Sequence, residues 1–428
     1  MSTFTPKDYQ TQTLTSVEHY FRACQRMGNV AKMTMTNPMK KILFAFVLSL
    51  AAAHADEPLL SKDWNPTAEG RKVMSKLVKV TARQVKGAHD AKLAVCDGRA
   101  FIVAEVNDCQ AGESAKWDWI YAALSIVNLE TMAVEKIIPF ARSGQVFANE
   151  TLPKGVCFAP NILQTGPQTL RCFFTSEQPG ERQGQVWFID FDLGQMAFGK
   201  TIHRAKLKTA AGTFDMQPHY FHADAAARGL GRPRQDYGLY LVDSFKKFDG
   251  KTYMAINNWA GKQNALTVLN DTFDTFEILG HYNDPPDFQL SESSVNRLPD
   301  GTWMAICRKD SGDRNYTFTT STNGRNWSIN APLDSIKAGT SSKPTFDCFD
   351  GIYHLGWQEN MKINGIARSV FNIDVSRDGK SWERKYRFAT AKSFQYPTFF
   401  EYQGTIYFAV TQGDHSKSRK ERIMFGKL

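Results

Sequence analysis

Four stretches of this sequence carry side chains suited to acid–base, nucleophilic or anion-binding chemistry. One opens Ser291-Glu292-Ser293-Ser294-Val295 and continues to Trp303-Met304-Ala305-Ile306-Cys307-Arg308. A second reads Ile366-Ala367-Arg368-Ser369-Val370, and a third Phe394-Gln395-Tyr396-Pro397-Thr398-Phe399. A phenol has a pKa of about 10, so Tyr396 is a poor nucleophile near neutral pH until a neighbouring carboxylate takes its proton. Its neutrality is an advantage where the reacting carbon itself bears a carboxylate, which would repel an ionised nucleophile. Guanidiniums such as those of Arg308 and Arg368 would favour an anion where they converge, because each offers a carboxylate a bidentate fork. The fourth stretch, Asp215-Met216-Gln217-Pro218-His219-Tyr220-Phe221-His222-Ala223-Asp224, has the density of His, Tyr and Asp found in proton-transfer or metal sites. His-x-x-His alone is a weak metal signal, and strand alternation would send its two rings to opposite faces. It reads as a loop packing over the mouth of a site. No metal and no cofactor is called for.

A repeated phrase supplies the frame for these residues. Around Gly250, Gly301, Gly351 and Gly404 the chain reads hydrophobic strand, polar residue plus Gly, then aromatic and β-branched strand, about every fifty residues. Fainter copies surround Gly98 and Gly166. Asp-Gly between two alternating apolar runs is a hairpin signal, because glycine can take the φ > 0 that the turn demands. A hairpin recurring at this period means the blades of a propeller, none of which can bury its own faces without neighbours. Six copies predict an all-β, six-bladed β-propeller. In that architecture the innermost strand of each blade presents its first residues at one end of the axis, where Glu292 and Tyr396 fall.

Composition and the chain ends narrow the class. Met39-Lys40-Lys41, the apolar run Ile42 to Ala53 and the small-x-small pattern Ala53-His54-Ala55 form a secretory signal whose core is short for a membrane span. The expectation is initiation at Met39, cleavage before Asp56, a polar extension over 1–38 outside the mature protein, and one domain over 56–428. The formal charge of +9 includes no Lys/Arg run dense enough for nucleic acid. Six cysteines follow residue 55. An even count in an exported chain favours disulfides, with Cys96/Cys109, Cys157/Cys172 and Cys307/Cys348 as pairings, against the alternative of buried thiols.

Two turns identify the type of propeller. Ser321-Thr322-Asn323-Gly324-Arg325-Asn326-Trp327 and Ser376-Arg377-Asp378-Gly379-Lys380-Ser381-Trp382 share S-x-[DN]-G-x-x-W, in register with the hairpin repeat. The polar side chains bond turn backbone, glycine takes the left-handed position, and the tryptophan folds back as an apolar plug. This pair resembles the Asp-box, or bacterial neuraminidase repeat, of the sialidase family, and the resemblance is specific over about residues 285–428. It implies a six-bladed propeller with Tyr396 as nucleophile, Glu292 as its base, and Arg308 and Arg368 as two of three arginines that bind the substrate carboxylate. The first-blade Arg-Ile-Pro phrase of the family is absent. In its place stands Ala88-His89-Asp90-Ala91-Lys92-Leu93, with His89 or Lys92 nearest. The family's general acid lies in the loop after the first hairpin, where this chain offers Glu105, Asp108, Glu113 and Asp118, with Glu113 as candidate. Late in the last blade, where a partner carboxylate is expected, stand Gln412 and Asp414.

The sequence therefore predicts an exported glycoside hydrolase acting on an anionic or decorated glycan, with no membrane span in the mature form. Two alternatives stay open. One is a uronate-specific lyase using His219, Tyr220 and an arginine. The other is a propeller that binds glycan without turning it over.

Overall fold

A computed structural model describes residues 58–112, 117–177, 184–231, 237–415 and 419–428. Residues 39–55, expected to be a secretory signal, residues 1–38 and Glu113 lie outside the described residues. Six sheets radiate from an axis as a six-bladed β-propeller. Blade 1 runs Gly87–Cys96, Arg99–Asn107, Tyr121–Asn128 and Val134–Ala141 from axis to rim, and blade 2 begins Val156–Gly166, Thr169–Glu177 and Gln185–Asp192. Blades 4, 5 and 6 open with Leu290–Arg297, Thr345–Phe349 and Gln395–Tyr402. Blade 3 carries two additional strands, Lys206–Thr209 and Gly212–Asp215. The first of these lies parallel to Thr275–His281 at the outer edge. A compact unit of the chain spans Leu59–Lys246 and Thr252–Leu428. Among the described residues, no helix is long and apolar enough to cross a membrane.

Five of the six phrase glycines take a positive φ, Gly166 being the exception. At Asp97-Gly98, Asp249-Gly250, Asp350-Gly351 and Gln403-Gly404 both residues have positive φ, between 49° and 76°. That is the conformation of the tight hairpin turn whose twist matches its strands. The ring is closed by the chain's own N-terminal part: Val78–Lys79 pairs antiparallel with Arg422–Lys427 as the outer strand of blade 6. Blades pack face to face through apolar clusters such as Phe140, Phe174 and Trp187. Each joins strands from neighbouring sheets, so no blade has a core of its own.

Two expectations are corrected. The six cysteines among the described residues are all thiols. Cys96 sits at the turn end of the blade 1 hairpin, paired across from Arg99, whereas Cys109 follows the far end of the next strand. The ladder between them puts a bridge out of reach. Cys157 stands opposite Ser176 and Cys172 opposite Ile162, several positions apart on one ladder. Cys307 accepts a hydrogen bond from Asn330 at the start of its strand pair, while Cys348 lies near the turn of blade 5. The stretch at 215–224 is likewise no loop: Pro218–Ala227 is a helix. Pro218 supplies its pre-set first-turn φ, Ala223 and the run Ala225-Ala226-Ala227 its propensity, and Gly229 (φ 74°) its left-handed exit.

Candidate functional site

One end of the axis collects the first residues of the innermost strands and the last residues of the strands beside them. The registers His89↔Glu105, Leu290↔Lys309 and Gln395↔Thr411 fix this end. Four innermost strands break their ladders there, between His89 and Lys92, Phe158 and Asn161, Leu290 and Ser293, and Gln395 and Thr398. A bulge inserts an unpaired residue and re-aims side chains. In three of these the left-handed region is occupied by a non-glycine residue: Asp90 (φ 47°), Ala159 (φ 48°) and Tyr396 (φ 55°). For a residue as bulky as tyrosine this conformation is rare and costs about 1–3 kcal/mol. Pro397 fits the break because it has no N–H to give to a ladder.

The bulge turns Tyr396 towards Glu292. Tyr396 Oη donates to the carboxylate, 2.8 Å from Oε2 and 3.1 Å from Oε1. Arg308, at the end of the next strand, donates from one nitrogen, Nη1, to Tyr396 Oη (2.7 Å) and to Glu292 Oε2 (2.8 Å). Its Nε holds Asp310 Oδ1 at 2.7 Å and Ser341 Oγ at 2.9 Å, and Lys262 reaches the other oxygen of Asp310 at 2.7 Å. Tyr396 is 4% exposed and Glu292 7%. Burial, with the nearby Glu292 charge adding to it, pushes the phenol well above its ordinary value despite Arg308 and Arg368. The resting Tyr396 is therefore protonated, and the carboxylate beside it is placed to receive that proton.

Arg368 also lies in the left-handed region (φ 59°), with its guanidinium carbon 5.6 Å from the centre of the Tyr396 ring. It donates to neutral acceptors, Gln395 Oε1 and the Ser341 carbonyl, both at 2.8 Å. The neighbouring cations have carboxylates: Arg308 has Glu292 and Asp310, while Lys92 and Lys343 share Asp90 at 2.6 and 3.4 Å. Arg368 differs from these in that its hydrogen bonds go to neutral acceptors.

His89 faces the Tyr396 ring at 4.5 Å between centroids, and its Nδ1 lies 3.1 Å from Thr411 Oγ1. Burial, then the charges of Lys420, Arg368, Lys343 and Lys92, holds its pKa well below the usual histidine value. It is neutral at neutral pH and cannot replace the charge of a third arginine. Lys92 is buried in its pair with Asp90, and burial above all pulls its pKa down to about 8. His219 stands apart from this group. Its ring lies on Tyr220 (3.8 Å), which stacks on Phe214 (4.2 Å), on the helix that packs against the outer strand Lys206–Thr209 of blade 3. His222 is buried in the same helix, and Asp224 takes Arg228 and His281. No group of three or more His, Cys, Asp or Glu able to hold a metal occurs among the described residues.

Lys343 is the site residue that the sequence reading passed over. Its Nζ lies 5.3 Å from the centre of the Tyr396 ring and donates to the Val242 carbonyl at 3.0 Å. The signal was present: Lys343-Pro344-Thr345-Phe346 before Gly351 stands in register with Tyr396-Pro397-Thr398-Phe399 before Gly404. Asp90 holds the same place before Gly98. Of the other first-blade carboxylates, Glu105 accepts from the Ala159 N–H at 3.0 Å and Asp108 from Tyr121 Oη at 2.9 Å. Asp414 is bound by Arg422 and Lys392, and Gln412 by Arg422.

The two S-x-[DN]-G-x-x-W turns lie between the third and fourth strands of blades 4 and 5, at the rim. Asn323 Oδ1 accepts from the N–H groups of Arg325 and Asn326, and Asp378 Oδ1 from those of Lys380 and Ser381. Gly324 and Gly379 have φ of 72° and 73°, and Ser321 and Ser376 bond the acidic or amide side chain within each turn. Trp327 is buried against Tyr282 at 4.4 Å, and Trp382 is half-buried, edge-on to Phe346 at 6.1 Å.

No family model matches the chain, and no curated protein matches it in sequence. Its fold is similar to solved structures. One is a protein of unknown function from Dyadobacter fermentans, with a TM-score of 0.59, 10% identity, and coverage of 82% of this chain and 98% of that one. Another is the sialidase of Trypanosoma rangeli, with a TM-score of 0.54, 10% identity, and coverage of 80% of this chain and 55% of that one. A mutant of the T. rangeli sialidase displaying trans-sialidase activity matches at 0.54 and 9%, over 82% of this chain. The chain thus spans little more than half the length of those sialidases. At such identities the likeness is one of fold: this is a six-bladed, sialidase-like propeller.

Proposed function

We propose that the protein is a sialidase-like glycoside hydrolase acting on an anionic or decorated glycan. The observation that carries this reading is the Tyr396–Glu292 pair at 2.8 Å, held by Arg308 and set beside Arg368, whose bonds are to neutral acceptors. Tyr396 Oη attacks the anomeric carbon while its proton passes to Glu292. The bond to the leaving oxygen breaks, and that oxygen takes a proton from a general acid, assigned to Glu113 on the connection between the second and third strands of blade 1. Water then attacks the anomeric carbon and gives its proton to the deprotonated general acid, the bond to Tyr396 Oη breaks, and Glu292 returns its proton to that oxygen. Arg368 and the free side of Arg308 bind the substrate's negative group. His89 packs against the ring of the nucleophile as a neutral wall.

In this reading the two rim turns are Asp-boxes, residues 39–55 direct export, and 56–428 form the mature domain. Protein expressed from Met39 in a Gram-negative host should leave the cytoplasm and begin at Asp56, as N-terminal sequencing would report. A screen of sialyl, uronyl and neutral aryl glycosides with product analysis tests the reaction. Hydrolysis of an anionic member supports it. Release of a product with unsaturated-uronate absorbance would select a second reading, a lyase, which the neutral His89 imidazole against Tyr396 favours over His219. Binding without any product would leave a glycan-binding propeller.

A further inference from the structure

Three large aromatic side chains are exposed among the described residues, Trp119 (40%), Tyr237 (42%) and Trp259 (43%). All three lie at the end of the axis that holds Tyr396. Trp119 follows the blade 1 strand that ends at Asn107. Trp259 follows Asn258, the last residue of the corresponding strand of blade 3, and Tyr237 precedes the inner segment of that blade, whose Tyr240 bridges to Asn257. Trp259 and Tyr237 form a pair, with ring centroids 6.4 Å apart and planes at 81°. Exposed rings stabilise the fold little, so their gathering at this end points to something that they bind.

The pair is rigidly built. Asn258 Oδ1 caps the Trp259 turn at the Gly261 N–H, and its Nδ2 holds the Gly238 carbonyl at 2.8 Å, tying the turn to the segment that carries Tyr237. A Cβ on Gly261 would lie 2.3 Å from the His222 ring, so the turn is pressed flat against the helix Pro218–Ala227. Tyr237 (φ 59°) and Lys262 (φ 53°) both occupy the left-handed region that non-glycine residues seldom take. Lys262 then links the aromatics to the reaction centre. Its Nζ stands 4.3 Å from the centre of the Trp259 ring and 2.7 Å from Asp310, which in turn holds Arg308.

We propose that Trp259 and Tyr237 are a second sugar subsite, on which the residue next to the acidic sugar stacks its apolar C–H face. Lys262 and Asp310 lie between the two sugars and offer hydrogen bonds to hydroxyls. The substrate class that follows is an oligosaccharide or glycoconjugate rather than a free acidic monosaccharide. This rests on the proposed glycan reading of the Tyr396 site. Rigid aromatic surface adds affinity at low ordering cost, on the scale of about tenfold per stacked ring.

Tyr396→Phe protein, unable to turn its ligand over, is titrated by tryptophan fluorescence and calorimetry with acidic oligosaccharides of two to four sugars and with their acidic monosaccharides. The expected result is at least a tenfold preference for the oligosaccharides, which Trp259→Ala collapses to near unity and Trp259→Phe largely restores. Tyr237→Ala gives a smaller loss in the same direction. Equal affinity for both ligand sets, or a preference that survives Trp259→Ala, overturns the subsite. If the wild type proves inert but its Tyr396→Phe form binds oligosaccharides through Trp259, the subsite stands and the hydrolase reading falls.

Discussion

At the residue scale, the central relation is between Tyr396 and Glu292. Burial keeps the phenol protonated, so in the proposed reaction Tyr396 would need a base at hand and would act with Glu292 as one unit. Tyr396→Phe should fold with an unchanged melting temperature while kcat falls by several orders of magnitude. Glu292→Gln should match it, and the double variant should be little worse than either, as for residues that serve one step. Arg368→Ala should weaken an anionic substrate by about 1.5–3 kcal/mol, the scale of a charged hydrogen bond, while a neutral analogue loses much less. A pH effect belongs to another buried carboxyl. Glu177 receives a hydrogen bond from Tyr240 at 3.0 Å, and burial pushes it up to about 7. Unfolded, it releases its proton near about 4.3. Between those values the folded state binds more protons, so stability contributed by this group falls as pH rises from about 4 to 7. Relative to wild type, Glu177→Gln should therefore gain about 2–3 kcal/mol between pH 5 and pH 8 in denaturant melts. A constant difference across that range would contradict the assignment.

At the scale of elements, the innermost strand does two tasks: it pairs along most of its length and breaks near its start. Pairing was legible in the sequence because period-two alternation around Asp-Gly has a direct physical meaning. The break was not, since Asp90, Ala159 and Tyr396 give no sign of positive φ beyond the prolines after Ala159 and Tyr396. The same limit hid Lys343, which only the alignment of one blade's phrase with another's reveals. Pro218–Ala227 is a helix whose signals are its ends, Pro218 and Gly229, rather than the His, Tyr and Asp side chains between them. The rim turns allow a graded test. Trp327, 8% exposed and donating to the Gly324 carbonyl at 3.1 Å, should cost about 3–5 kcal/mol on truncation to Ala. Trp382, half-buried, should cost less. Turnover per folded molecule should hold in both, and a variant that keeps its melting temperature but loses turnover would overturn their structural role.

At the scale of the molecule, closure of the ring holds the axial site in one piece, because its members come from blades 1, 4, 5 and 6 and the connections between them. Closure depends on the segment before blade 1. The helix Pro66–Met74 packs on the outer strand of blade 5, Glu383–Ala389, with Trp64 Nε1 donating to the Lys385 carbonyl at 2.7 Å. Val78–Lys79 then completes blade 6. The sequence showed six hairpins but not this strand, since a pair two residues long has no readable period. Gly70 marks the closest approach: a Cβ there would lie 2.4 Å from the Arg387 carbonyl oxygen. Gly70→Ala should destabilise by about 1–3 kcal/mol through overpacking, although alanine favours the helix itself. A melting temperature equal to or above wild type would show that the segment is not tightly docked.

Attack of Tyr396 on the anomeric carbon is the step on which the proposed hydrolysis depends. The direct test is intact-mass and peptide analysis of protein incubated with a fluorinated glycosyl fluoride of a sugar that it hydrolyses, whose second step is slow. The expected result is one added glycosyl group, on the peptide that contains Tyr396, absent in Tyr396→Phe and formed slowly in Glu292→Gln. A glycosyl group on any other residue, or hydrolysis that continues undiminished in Tyr396→Phe, would contradict it.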